Sequence, residues 1–172
     1  MVTKELLRQV IYEQRELADN LGVERSACEK ITKTPEIIVI SGVRRCGKSV
    51  LMMQIRASQN EQDYYFSFDD DRLLHFTVED FQALYEVFVE DFGVQHAFYL
   101  DEIQLITGWE RFVDRVYNHG NKVFITGSNA YMLSKELGTL LTGRHIKQEL
   151  YPMSLEEYAK LKGISWQKTD FF

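Results

Sequence analysis

Four short, nearly unbroken apolar runs and a fifth mixed one, each separated from the next by a stretch of helical pattern, constrain this chain more than any other feature of its 172 residues. They predict strands at Ile37–Ile40, Tyr64–Phe68, Ala97–Leu100, Val123–Thr126 and His145–Leu150. Helices are expected near Lys48–Ser58, Val78–Phe92, Trp109–His119 and Tyr131–Leu137, with a last one beginning near Ser154. A strand that is apolar on both sides must be covered on both faces, and strands alternating with helices do this with right-handed crossovers and a parallel sheet. The expected fold is therefore α/β: a doubly wound, three-layer α/β/α sandwich.

Ahead of the first strand, Leu6, Leu7, Val10, Ile11, Leu17, Ala18 and Leu21 recur at helical spacing, an amphipathic helix from Thr3 to about Leu21. Its polar side mixes Lys4, Arg8 and Arg15 with Glu13, Glu16 and Asp19. Mixed signs favour packing on its own domain over a basic membrane-surface role. Gly22 ends the helix, and Glu24 to Pro35 reads as a linker. The pattern divides the chain into residues 1–34, helix and linker, and residues 35–172, the core.

Eleven phenylalanines, nine tyrosines and two tryptophans against only two prolines exclude disordered and low-complexity classes. A net charge of −6 supplies no global positive field to draw nucleic acid. The two cysteines, Cys28 and Cys46, form no C-x-x-C pair, and His75, His96, His119 and His145 show no ligand spacing. No apolar run reaches the length of a membrane span, and the opening Met1 to Leu6 lacks the order of a secretory signal, so a cytoplasmic protein without membrane partners is expected.

The first strand runs directly into Gly42-Val43-Arg44-Arg45-Cys46-Gly47-Lys48-Ser49, a G-x-x-x-x-G-K-[ST] loop, and on into a helix opening with Val50. Glycines let such a loop curl so that its N–H groups face phosphate, and the helix start adds partial positive charge. Lys48 is expected at the β- and γ-phosphates and the Ser49 hydroxyl on Mg²⁺. Arg44 and Arg45 could touch phosphate or a neighbouring subunit, or stay solvated. Cys46 is read as a small loop residue whose oxidation would block the pocket.

The third strand ends in Asp101-Glu102, at the sheet edge where open α/β folds place ligands. This reads as a Walker B element: Asp101 for Mg²⁺, Glu102 to polarise the attacking water. The fourth strand ends in Gly127-Ser128-Asn129, where polar side chains can sense the γ-phosphate or cap the following helix. Arg144, before the fifth strand, could neutralise transition-state charge in its own or a neighbouring subunit's site, or form a surface ion pair. Asp69, Asp70 and Asp71 are read as a solvated loop and helix cap, since consecutive side chains diverge too far to share a metal.

The ordered set Gly42 to Ser49, Asp101-Glu-Ile-Gln104, Gly108-Trp-Glu110, Thr126-Gly-Ser-Asn129 and Leu141-Thr-Gly-Arg144 resembles the prokaryotic AAA-type ATPases that carry a C-terminal domain of restriction-nuclease-like character. The likeness extends from the N-terminal helix to Tyr151 through Tyr158. It implies a five-stranded sheet in the order 5-1-4-3-2, Gly42 to Ser49 as Walker A, Asp101 and Glu102 as Walker B, Ser128 and Asn129 at the sensor position, and Arg144 as an arginine finger. Since members of that family are usually longer, the chain is expected to represent the ATPase core, truncated at its C-terminus. The reading that follows is an Mg²⁺-dependent ATPase core that turns ATP into ADP and phosphate, with a homo-oligomer through Arg144 and an unidentified protein effector as partners. The alternative is a nucleotide-dependent binding switch with negligible turnover; a small-molecule kinase is a third option, disfavoured by the adjacent Glu102.

Overall fold

The computed structural model describes residues 1–17, 21–25, 34–59, 63–128 and 141–164. In chain order these form α1 (Lys4–Leu17), β1 (Ile37–Ser41), α2 (Lys48–Ser58), β2 (Tyr64–Ser67), α3 (Phe81–Phe92), β3 (Ala97–Asp101), α4 (Trp109–Asn118), β4 (Lys122–Gly127), β5 (His145–Glu149) and α5 (Leu155–Lys162). Every strand pair is parallel, in the order β2-β3-β4-β1-β5, which is the expected 5-1-4-3-2 read from the other edge. Central β1 sets Ile38 opposite Phe124 on one side and Ile146 on the other. The helix expected at Tyr131–Leu137 lies outside the described residues.

The two-residue repeat of the strands builds two cores at once. Ile37, Val39, Tyr64, Phe66, Phe98, Leu100, Val123 and Ile125 face one way, onto α1, α3 and α4. Ile38, Ile40, Tyr65, Tyr99 and Phe124 face the other way, onto Leu51, Met52 and Ile55 of α2. Three layers result. The stretch expected as one helix from Val78 instead begins with a 3₁₀ turn, Val78–Asp80, because Thr77 and Asp80 close a capping box one turn ahead of Phe81.

Helix α1 lays Leu7, Val10 and Ile11, all fully buried, into the core shared with α3 and α4. At about 1.5–3 kcal/mol for each such side chain, this burial fixes the helix. Its surface pairs with α3, Lys4 to Glu86 and Arg8 to Asp91, are solvated and serve mainly to set register. Packing thus runs across the sequence division at residue 34. Gln14 of α1 also accepts from the Ser67 N–H and donates to the Ser67 carbonyl, closing the end of edge strand β2.

Because all strands are parallel, the ends of β1, β2, β3 and β4 open on one edge of the sheet. That edge carries Gly42, Ser67, Asp101 and Ser128 at or just beyond the strand ends. No helix among the described residues is long and apolar enough to cross a membrane.

Candidate nucleotide site

The carboxyl edge holds a cleft of about 560 Å³ lined by Arg44, Arg45, Gly47, Lys48, Ser49 and Val50 of the loop and α2, together with Ser67, Asp69, Asp101, Glu102, Leu105 and Ser128. The loop between β1 and α2 owes its shape to its two end glycines. A Cβ on Gly42 would collide with the Leu150 carbonyl oxygen, and Gly47 combines φ +96° with a would-be Cβ 2.9 Å from Arg25 Nη1. Arg45, at φ +66°, takes the left-handed backbone region without being glycine. Cys46 is buried in the α2-side core with its Sγ beneath Gly42, and it does not line the cleft. The expectation that its oxidation blocks the pocket is corrected accordingly. Gly42 and Val43 also stay off the cleft wall; the Val43 carbonyl accepts from Lys48 Nζ at 3.3 Å.

Lys48 opens α2 and is only 3% exposed. Its ammonium stands 3.3 Å from Glu102 Oε1. Glu102 follows β3 in a left-handed conformation, φ 51°, that turns the carboxylate back over the strand ends. Its Oε2 accepts from the Gln104 side chain and from the Ser128 N–H at 3.1 Å. Burial pushes the Glu102 carboxyl up, but Gln104, Ser128 and Lys48 outweigh it and hold the group below the ordinary glutamate range. Asp101 goes the other way: burial raises it, and bonds from the Thr126 and Ser49 hydroxyls offset only part of that cost.

Thr126, fully buried at the end of β4, was not singled out by its residue type. Its hydroxyl accepts from the Glu102 N–H at 2.9 Å and donates to Asp101 Oδ1, so one side chain joins the Asp101 carboxylate to the Glu102 backbone. Ser67, at the end of β2, stands 3.4 Å from Asp101 Oδ2. Gln104, two residues beyond Glu102, donates to it and reaches Ser128 Oγ at 3.4 Å. Gln104 and Thr126 stand in the motifs Asp101-Glu-Ile-Gln104 and Thr126-Gly-Ser-Asn129, but their hydrogen bonds, and the place of Ser67, follow only from the pairing of strand ends. Asp70 caps the turn after β2 by accepting from the Arg72 N–H, as expected, while Asp69 contributes to the cleft rim. Among the described residues no three His, Cys, Asp or Glu side chains gather into a metal cluster of their own.

Arg144 lies at the opposite edge. Its carbonyl accepts from the Ile37 N–H where β1 begins, and its guanidinium pairs with Asp114 at 2.6 Å and Asn118 at 3.1 Å on α4. The length of β1, roughly 16 Å at a strand's rise per residue, separates it from the phosphate loop. It does not reach its own cleft, which leaves a neighbouring subunit's site or the surface ion pair. Asn129 lies outside the described residues.

A buried ammonium, a helix-start hydroxyl and two carboxylates thus share one sheet edge. The family profile described as AAA domain aligns with residues 34–159. The chain belongs to the AAA domain family. Over 170 residues it is 34% identical to an uncharacterized protein of Methanocaldococcus jannaschii, covering 98% of this chain and 38% of that protein. An uncharacterized protein of Haemophilus influenzae is 37% identical over 142 residues, covering 78% of this chain and 36% of its own length. This AAA chain therefore spans little more than a third of the curated relatives it matches. Among solved structures, AMPPCP-bound DnaA from Aquifex aeolicus superposes with a TM-score of 0.50 at 16% identity, covering 93% of this chain and 54% of DnaA. The RuvB Holliday junction branch migration motor of Thermotoga maritima also gives 0.50 at 14% identity, covering 92% and 47%. These likenesses carry the fold alone: a parallel sheet in the order β2-β3-β4-β1-β5 with helices on both faces.

Proposed function

We propose that this AAA core binds ATP with Mg²⁺ in the cleft and hydrolyses it to ADP and phosphate in the cytoplasm. The convergence of Lys48, Ser49, Asp101 and Glu102 on one cleft carries the reading. The donor set fits a divalent cation: the Ser49 hydroxyl already bonds the Asp101 carboxylate, whose burial disfavours its charge unless a cation stands nearby. Ser49 and Asp101 would hold Mg²⁺, which when bound neutralises phosphate charge.

Lys48 binds the β- and γ-phosphates, and the N–H groups of Arg44 through Ser49 cradle them. Glu102, ionised at neutral pH, orients a water and takes its proton as the water oxygen bonds the γ-phosphorus; the bond to the bridging oxygen breaks and ADP leaves. Ser128 and Asn129 act as the γ-phosphate sensor, and Arg144 serves a neighbouring subunit in a homo-oligomer. A protein effector reads the cycle.

One observation favours a nucleotide-operated switch as the second reading: both Glu102 oxygens are engaged, by Lys48 on one side and by Gln104 and Ser128 on the other. Single-turnover hydrolysis separates the two. An ATPase loses turnover in Glu102→Gln while keeping ATP bound; a wild-type chain that binds ATP and releases no phosphate is the switch.

A further inference from the structure

Behind the phosphate loop lies a buried cation that the proposed chemistry does not use. Arg25, in the segment between α1 and β1, is 4% exposed. Its Nη1 donates to the Cys46 carbonyl at 2.8 Å, its Nη2 to the Tyr151 carbonyl at 2.7 Å, and its Nε to Glu157 Oε1 at 3.1 Å. Its own N–H donates to Gln54 Oε1 on α2, and the Gln54 amide returns to the Leu21 and Val23 carbonyls. One guanidinium fork thus joins the phosphate loop to the segment after β5 and to α5, partners 21, 126 and 132 residues away in sequence.

The Cys46 carbonyl belongs to the same peptide as the Gly47 N–H. Among the described residues no peptide is cis, and in a trans peptide C=O and N–H point in opposite directions. A guanidinium fixed on the carbonyl from behind therefore turns the N–H away from itself, and Gly47 lines the cleft. Bonding the carbonyl to a cation also polarises the peptide and strengthens its N–H as a donor. The fit is tight, since a Cβ on Gly47 would stand 2.9 Å from Nη1. Glu157 is held in turn: its Oε2 accepts from the Ser154 N–H, its own N–H donates to Ser154 Oγ, and α5 starts there.

We propose that Arg25 is a positioning residue that aims the Gly47 N–H at bound phosphate and, through Tyr151 and Glu157, transmits phosphate occupancy to helix α5. The inference rests on the nucleotide-binding reading and adds an output: α5 lines no part of the cleft, yet one side chain ties it to the loop. A second arm reinforces this, because the Leu150 N–H donates to the Ser41 carbonyl at 2.7 Å and the Leu150 carbonyl blocks any side chain at Gly42.

The test is amide hydrogen exchange on the full chain with and without Mg²⁺-ADP, alongside ADP affinity, in the wild type and in Arg25→Lys. A lysine's single nitrogen cannot span the three acceptors that the guanidinium reaches with Nε, Nη1 and Nη2. In the wild type, ADP slows exchange in the loop (residues 42–49) and in α5 (residues 155–162). In Arg25→Lys, ADP binds about tenfold more weakly. At saturating ADP the loop of that variant stays protected, and the ratio of α5 exchange rates without and with ADP falls to near one. A merely structural role would speed α5 exchange equally with and without ADP and leave the ratio intact, which overturns the proposal, as does unchanged affinity. Should Arg25→Lys not fold, Glu157→Gln keeps the test: it leaves loop protection in place and lowers the α5 ratio, and an unchanged ratio overturns the coupling. A wild-type chain that binds no ADP sinks the nucleotide reading itself, an outcome distinct from a bound loop with a silent α5.

Discussion

Lys48 holds the Glu102 carboxylate at 3.3 Å, so phosphate arriving at the loop competes with that carboxylate for one ammonium. Neutralising Glu102 removes the competitor together with a like charge near the γ-phosphate. Glu102→Gln should therefore bind ATP about three- to tenfold more tightly, in line with ~1 kcal/mol for a partly screened pair, as well as losing turnover. Equilibrium titration with ATP checks the sign. The two carboxylates respond oppositely to pH. Glu102 sits below the ordinary glutamate range, so the stability its bonds supply is complete above that range and is lost only as pH falls through the depressed folded value. Turnover should show no acid limb from Glu102 between pH 5 and 8. Asp101 is raised by burial, so ionising it costs the folded state free energy that protonation returns at low pH. Asp101→Asn should thus raise the Tm of the nucleotide-free chain while weakening Mg²⁺-dependent ATP binding. A calorimetric scan beside a binding titration reads both.

At the scale of elements, α1 is held by apolar burial more than by its surface pairs. Ile11→Ala should cost about 2–5 kcal/mol in denaturant unfolding, whereas Lys4→Ala should stay within about 0.5 kcal/mol. The elements themselves were largely legible in the sequence. β1 matched its expected span to within one residue and α2 matched fully, because a strand buried on both faces and a helix following a glycine loop each leave a local pattern. That Lys48, Ser49, Asp101, Glu102 and Ser128 share one edge was legible for the same reason, since the first two open the helix after the glycine loop and the others stand at or beside a strand end. Arg25, Gln14 and Ser67 were not, nor were the two hydrogen bonds that Thr126 makes. Each acts through a partner brought close by strand pairing or by the return of α5, and a side chain's type does not state its distant partner. The split of the segment from Val78 into a 3₁₀ turn and α3 was hidden because Thr77 and Asp80 read equally well as solvent-facing residues.

For the whole molecule, parallel topology sends Arg144 and the phosphate loop to opposite edges, so any action of Arg144 on phosphate requires a second copy. Arg144→Ala should leave ATP affinity unchanged. Mixing it with Glu102→Gln should restore turnover if the finger acts between subunits, because each mutant then supplies what the other lacks. No gain on mixing, with the single mutant fully active, assigns Arg144 to its ion pair with Asp114. The central claim, that Lys48 and its loop hold nucleotide phosphate, is tested most directly by calorimetric titration of the wild type and Lys48→Ala with ATP, with and without Mg²⁺. The account predicts Mg²⁺-dependent binding to the wild type and a loss of roughly a hundredfold or more in a folded Lys48→Ala, as expected for a buried charge-assisted contact worth ~3 kcal/mol. Equal ATP affinity in the two folded proteins would contradict it.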